Sequence, residues 1–298
     1  MTTTIEASAS KAVPSATARR FRGVLRNRML AAIAAIMLAA FAVITFIGDK
    51  LAPMDPGAQQ IRSRLLPPGS TSPAGTHVFG TDALGRDIWS LVLAGAHTIV
   101  LQAVLAVAIG TAVGTLLGLV CGYRGGRLGD LLILLTNLQL SFPFFLLALA
   151  VVGILGASFW LVVFVVALTS WVEVARVVYI ETRGVCQLEY ILAVRVMRGS
   201  GLRIISRHVL PNVASSILVL GSLAFGTAIV IISGLGFIGL SAPAASPGWG
   251  EMLSDGREYM ASAWWITVIP GVAIFLLVLS VNIISEAIRD RFDPHAGS

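Results

Sequence analysis

The side chains able to do covalent chemistry are few and scattered. Four histidines (His77, His97, His208, His295) stand far apart, and neither an HExxH nor a CxxC pair occurs. Two lysines, Lys11 and Lys50, close no GxxxxGKS/T phosphate loop, so ATP binding by that route is not expected. Cys121 and Cys186 are too few for a disulfide scaffold and read as free thiols. No catalytic, cofactor-binding or metal-ligating set emerges, and the chain is not expected to be an enzyme. What it offers is electrostatic. Gly80, Thr81, Asp82, Gly85, Arg86 and Asp87 form one polar cluster, Glu173 and Arg176 pair by spacing at i,i+3, and Arg195, Arg198, Arg203 and Arg207 punctuate one segment.

The elements that must position these groups are set by composition. Hydrophobic residues make up 56% of the 298 and charged ones 12%, with mean hydropathy +0.88, which is the balance of a chain whose main solvent is lipid. The net charge of +6 would suggest nucleic acid in a water-soluble chain. Here the basic residues sit between apolar runs, where orientation in a bilayer explains them, and nucleic-acid binding is not expected.

Apolar runs fall near 30–48, 98–122, 131–155, 158–178, 213–237 and 264–286, each long enough to cross a hydrocarbon core as helix. The first follows Lys11, Arg19, Arg20, Arg22, Arg26 and Arg28, without an apolar signal core near residue 1 or a cleavage site, and reads as a retained span. With that end inside, 16 Lys and Arg lie on the inner side and 5 on the outer. The expectation is an all-α polytopic membrane protein of six transmembrane helices with both termini cytoplasmic. Its parts are a cytoplasmic tail (1–28), a first helix with an outer loop (29–97), a five-helix core (98–288) carrying an inner loop at 181–212, and a second cytoplasmic tail (289–298). A five-span count, with a helix merged around Pro143, is the alternative.

The stretch from Asp49 to about Ala96 carries five prolines and is expected to be mostly irregular loop. At its end Asp82, Arg86 and Asp87 could form an ion-pair knot that either caps the next helix or touches a ligand or delivery protein. Gly110, Gly114, Gly118 and Gly122 recur every four residues and line one helix face with hydrogen atoms, the pattern of close packing by a neighbour. Ionisable groups are nearly absent from mid-span, which argues against an ion-coupled carrier working alone, the competing functional class. In the inner loop, Tyr190, Ile191, Val194, Met197, Ile204 and Ile205 approximate helical spacing with arginines between, until Pro211. An amphipathic helix across the inner mouth of the bundle is expected, either lying on lipid or docking a cytoplasmic protein.

Three stretches carry a resemblance. FGTDALGRDIWS (79–90), EYILAVRVMRGS (189–200) followed by RHVLPN (207–212), and FIGLSAPAASPGWGEMLSDGREY (237–259) resemble, in order, three segments of inner-membrane permease subunits of binding-protein-dependent ABC importers of the dipeptide, oligopeptide and nickel permease family. The likeness runs from about residue 20 to Pro294.

The resemblance implies a coupling helix between the fourth and fifth spans that docks a cytoplasmic ATPase. It would involve Glu189, Tyr190, Ala193, Val194, Arg195, Met197, Arg198, Gly199, Arg203, Arg207, Leu210 and Pro211. The family's Glu-Ala-Ala corresponds to Leu192, Ala193 and Val194, and its Gly to Arg198, with Gly199 one place late. The implied partners are a second homologous permease, two ATP-binding subunits or one fused ATPase using ATP and Mg, an extracytoplasmic substrate-binding protein, and membrane lipid. The implied location is the bacterial inner membrane and the implied cargo a di- or oligopeptide, with nickel or another small solute as the alternative.

Overall fold

The computed structural model describes residues 16–197, 200–241 and 247–292. In chain order these form α1 (Ala16–Leu51), a loop holding a 3₁₀ turn at Ile61–Ser63 and the hairpin β1 (Ser70–Ser72) and β2 (Gly75–His77), then α2 (Ile88–Arg124), α3 (Gly126–Leu140) and α4 (Phe144–Leu155). There follow α5 (Phe159–Cys186), α6 (Glu189–Val196), α7 (Gly201–Ile204), a π turn at Ile205–Val209, α8 (Leu210–Phe237), α9 (Trp249–Gly256) and α10 (Trp265–Phe292). The chain is thus a polytopic all-α membrane protein apart from the one short hairpin. Among the described residues, five helical stretches, α1, α2, α5, α7 through α8, and α10, are long and apolar enough to span a bilayer.

Two elements differ from the expectation. Helix α2 starts at Ile88, so residues 88–96 are helix and not loop. Asp87 explains the early start: its carboxylate accepts from the Ser90 amide at 2.8 Å and so caps the first turn. The apolar run at 131–155 is not one helix. It breaks between Leu140 and Phe144 into α3 and α4, bent by 81°. Pro143 lacks an N–H and disfavours helical geometry in the residue before it, and the Ser141 hydroxyl closes α3 by donating to the Asn137 carbonyl at 2.9 Å. At 1.5 Å per residue, α3 and α4 are about 22 and 18 Å long, too short for either to cross alone.

Helix α2 is central. A Cβ added at Gly110, Gly114 or Gly118 would come within 2.6–2.8 Å of the Ala167, Trp171 and Ala175 carbonyl oxygens of α5, and one at Gly122 within 2.9 Å of the Tyr179 oxygen. The stripe lets the two backbones touch over four turns. Because both sequences ascend together by fours, α2 and α5 run parallel. The chain between them must therefore return along the bundle, and the bent pair α3 and α4 is what lies between. On the other flanks α1, α8 and α10 close the core around Ile99, Val166, Ile229, Leu235 and Leu277. Trp249 of α9 donates to the Val92 carbonyl at 2.8 Å and Trp265 of α10 to the Thr81 carbonyl at 3.1 Å. Both tie late elements to the start of α2, and Gly95 leaves room for the Trp249 ring.

Candidate functional site

The connection from α5 to α8 is built around Ile191. This side chain of α6 is fully buried with Ile204, Val209 and Val213 of the following helix, Val174, Val178 and Cys186 of α5, and Leu119 of α2. One short helix is thereby fastened to three long ones by the least polar means available. Val194 and Ile205 pack partly against the same cluster. On its far side α6 leaves Tyr190 and Leu192 exposed, and Val196 and Met197 are 84% and 82% exposed.

The single amphipathic helix expected over this segment is two. Helix α6 ends at Val196, Arg198 and Gly199 lie outside the described residues, and helix resumes at Gly201, where the Ser200 hydroxyl accepts from the Arg203 amide at 3.4 Å. From there it runs into α8 without stopping at Pro211. The π turn makes this possible: the Leu210 amide reaches back to the Ile205 carbonyl, and Pro211 sits where an N–H is dispensable. The Asn212 side chain donates to the His208 carbonyl at 2.6 Å and reaches the Tyr190 hydroxyl at 3.4 Å. Tyr190 also meets the His208 ring edge-to-face at 6.2 Å. Glu189, Ala193, Arg195, Arg203, Arg207 and Leu210 are exposed, with the Arg195 guanidinium carbon 4.9 Å from the centroid of the Tyr123 ring. Tyr123 carries no periodic or motif signal that marks it in the sequence, and His208 and Asn212, though inside RHVLPN, are not singled out there as contacts of Tyr190.

At the other end of the bundle, the polar cluster before α2 is mostly buried. Asp82 Oδ2 takes the Arg86 Nε–H at 2.6 Å, and Oδ1 accepts from the Leu84 and Arg86 amides at 2.9 and 2.8 Å. Thr81 donates its hydroxyl to the Ser63 carbonyl at 2.6 Å and accepts from the Leu66 amide at 2.8 Å. Gly80 and Gly85 take φ of +81° and +76°, conformations that exclude a side chain at little cost only in glycine. Asp87 does not join Arg86. Its partner is His77, with Nδ1 3.0 Å from Oδ1 and both side chains buried. The hairpin β1–β2 delivers His77 across ten residues of sequence, which is why spacing alone does not reveal it.

Glu173 and Arg176 do not pair with each other. Arg176 donates to Thr136 at 3.0 Å and to the Asn137 side chain, and Gln139 bridges the Leu168 carbonyl and the Trp171 indole, so α3 is held to α5 by polar contacts. Between α2 and α8 lies an apolar groove of about 360 Å3 walled by Val104, Ala108, Thr111, Ile217, Leu218 and Phe225. Among the described residues no three His, Cys, Asp or Glu side chains gather to hold a metal ion.

Residues 114–297 match the family described as binding-protein-dependent transport system inner membrane component. The chain is 33% identical over 286 residues to a probable D,D-dipeptide transport system permease protein of Escherichia coli K12, covering 93% of each chain. It is 35% identical to a dipeptide transport system permease protein of Alkalihalophilus pseudofirmus, over 91% of this chain and 87% of that one. It is 31% identical to a nickel transport system permease protein of Escherichia coli K12, over 91% and 96%. With matches of that length on both counts, the chain belongs to the family of inner-membrane permease subunits of binding-protein-dependent ABC importers.

Proposed function

We propose that this permease moves di- or oligopeptides inward and that α6 is its docking element for a cytoplasmic ATPase. The observation that carries the reading is the division of α6 into two sides. Ile191 is locked into α2, α5 and α8, while Tyr190, Leu192, Val196 and Met197 face outward with no covering among the described residues. Large apolar side chains exposed on a short helix outside the spans mark a protein contact, and one rigidly seated helix gives that contact leverage on three spans. Counting α3 and α4 as one returning crossing makes six spans. The bias of Lys and Arg supports a cytoplasmic position for both termini and for α6. The assembly this implies pairs the chain with a second permease, two ATPase subunits or one fused ATPase, and an extracytoplasmic binding protein. Peptide is the cargo favoured by the names of the dipeptide relatives; the nickel relative supplies the alternative.

The test is co-purification of the tagged chain in mild detergent, wild type against Val196→Asp and Met197→Asp. Wild type should bring down ATPase subunits and take up labelled dipeptide when reconstituted with its binding protein, and the variants should lose most of the ATPase while still inserting. A solitary wild-type chain that moves solute without an ATPase overturns the proposal in favour of a carrier, and undiminished ATPase recovery in both variants removes α6 as the docking element.

A further inference from the structure

Glu173 is a carboxylate at a depth where lipid cannot solvate it. It is the fifteenth of the 28 residues of α5, about 20 Å from either helix end at 1.5 Å per residue and about 8 Å inside the nearer end of the apolar run 158–178. It is exposed, and the two ion pairs among the described residues, His77–Asp87 and Asp82–Arg86, do not include it. Arg176, one turn on, is turned to α3, where it donates to Thr136 at 3.0 Å and to Asn137. Glu173 is also badly placed to reach the nearer membrane surface. The Cα–Cβ bonds of a helix tilt toward its N-terminus, here the Phe159 end and so the far side.

A second irregularity lies at the same depth. Gln139, just before the break between α3 and α4, donates to the Leu168 carbonyl and accepts from the Trp171 indole at 2.8 Å, which sets the break beside the turn of α5 that precedes Glu173. Ser141, Phe142 and Pro143 at the break are exposed, as is Asn137. Hydrocarbon tolerates neither an unpaired carboxylate nor open non-helical backbone, and both occur at membrane depth only where protein covers them or water fills the space. Two such features on adjoining helices mark one face that is not a lipid face. A protein cover would have to match a carboxylate, an amide, a hydroxyl and open backbone together, whereas water satisfies all of them without a fit.

Resting on the importer reading above, we infer that Glu173 and the α3–α4 break line the aqueous path of the cargo, and that Glu173 makes this stretch prefer positively charged groups. With Arg176 held against α3, the free charge on the face is negative. Between low-dielectric walls such a charge is weakly screened, so it draws cations and repels anions. The ammonium group of a peptide is such a cation and so is a nickel ion, and the permease then selects by charge separately from the binding protein.

The experiment uses the complete complex with its binding protein and ATPases, turning over ATP in liposomes. The probes are two thiol reagents that do not cross lipid, a cationic trimethylammonium-ethyl and an anionic sulfonatoethyl methanethiosulfonate. Glu173→Cys and Ser141→Cys should react, while Phe164→Cys, exposed on α5 but half a turn round the helix, should stay at the background set by the buried native Cys121 and Cys186. At Ser141→Cys the cationic reagent should be the faster, and adding Glu173→Gln should lower the ratio of cationic to anionic rate about tenfold with complex recovery unchanged. In the same liposomes Glu173→Gln should lower, several-fold, the uptake of labelled lysyl-alanine or of nickel ion, whichever the wild type carries. If neither cysteine reacts, lipid or a second permease covers the face, and the inference falls while the importer reading stands. If both react and Glu173→Gln leaves the ratio unchanged, the charge preference falls. Wild type that carries nickel and not the peptide overturns the peptide reading and leaves the path to be decided by the reagents.

Discussion

Arg195 of α6 lies over the ring of Tyr123, the last aromatic residue of α2, at 4.9 Å from guanidinium carbon to ring centroid. The contact is a second tie between α6 and the core, beside the Ile191 cluster against which Tyr123 also packs, and it joins α6 to the helix on which α1, α5 and α8 all pack. A cation over an aromatic face at a partly exposed site contributes about 0.5–1 kcal/mol, enough to bias a mechanical link but not to decide folding. Tyr123→Leu and Arg195→Ala should therefore leave insertion and thermal stability near wild type and lower uptake per ATP hydrolysed several-fold. The double variant should be no worse than either single one. Losses that add in the double variant would show that the two residues act separately.

The glycine stripe makes a sharper prediction, because two effects oppose each other. Alanine is favoured over glycine within a helix by about 1 kcal/mol. At Gly114, however, the added carbon would stand 2.6 Å from the Trp171 carbonyl oxygen and 2.9 Å from Val174 Cβ, and neither can turn aside. Overpacking of this kind costs about 1–3 kcal/mol, and a clash against backbone lies at the upper end. Gly114→Ala should lower the melting temperature in detergent, and Gly114→Leu should prevent recovery of folded protein. Gly184→Ala on α5, where nothing lies within 4 Å of the new carbon, is the control and should be neutral or stabilising.

Asp87 performs two tasks that substitution can separate. Its Oδ2 accepts from the Ser90 amide and hydroxyl, both at 2.8 Å, and its Oδ1 faces buried His77. Asp87→Ala loses the cap, about 0.5–2 kcal/mol, and strands a buried imidazole nitrogen, about 1–3 kcal/mol more. Asp87→Asn keeps an acceptor for the cap and a polar partner for the ring. Its melting temperature should fall clearly less than that of the alanine variant. Equal losses would mean that charge, and not the cap, is what Asp87 contributes.

These residues also show what a sequence discloses. The stripe at Gly110, Gly114, Gly118 and Gly122 is legible because a four-residue period is a local property of one helix. That α5 fills it is not legible, because the stripe names no partner. The spans follow from apolar length, but the start of α2 depends on one carboxylate that caps it, and the break at Pro143 depends on whether packing sustains a kink or lets the helix end. His77 is isolated in sequence and reaches Asp87 only through a hairpin whose register fixes the distance. In the α6 region the periodic apolar positions Ile191 and Ile204 do share one cluster, yet the same pattern includes Met197, which points away. Periodicity records one continuous helix, and the chain turns after Val196.

Asp255 of α9 gives the end of the bundle that holds the Asp82–Arg86 pair a pH dependence of defined sign. Its carboxyl is held above the ordinary aspartate range, first by burial, then by the charge of Glu251. Asp82 and Glu258 add to the rise and Arg86 opposes it. The folded protein therefore holds this proton more tightly than the unfolded chain does. Stability from the group is complete below the unfolded value, declines as pH rises through the raised folded value, and is level above it. Asparagine reproduces the protonated form at every pH. Asp255→Asn should melt above wild type at pH 7–8, and the gap should close as pH falls toward 4. The hollow beside Asp255, about 400 Å3 and lined also by Arg86, Arg257 and Glu258, admits solvent, so high salt should reduce the gap by screening Glu251 and leave the part that burial causes. A gap that is constant from pH 4 to 8 would show that Asp255 ionises as freely in the folded protein as in the unfolded chain.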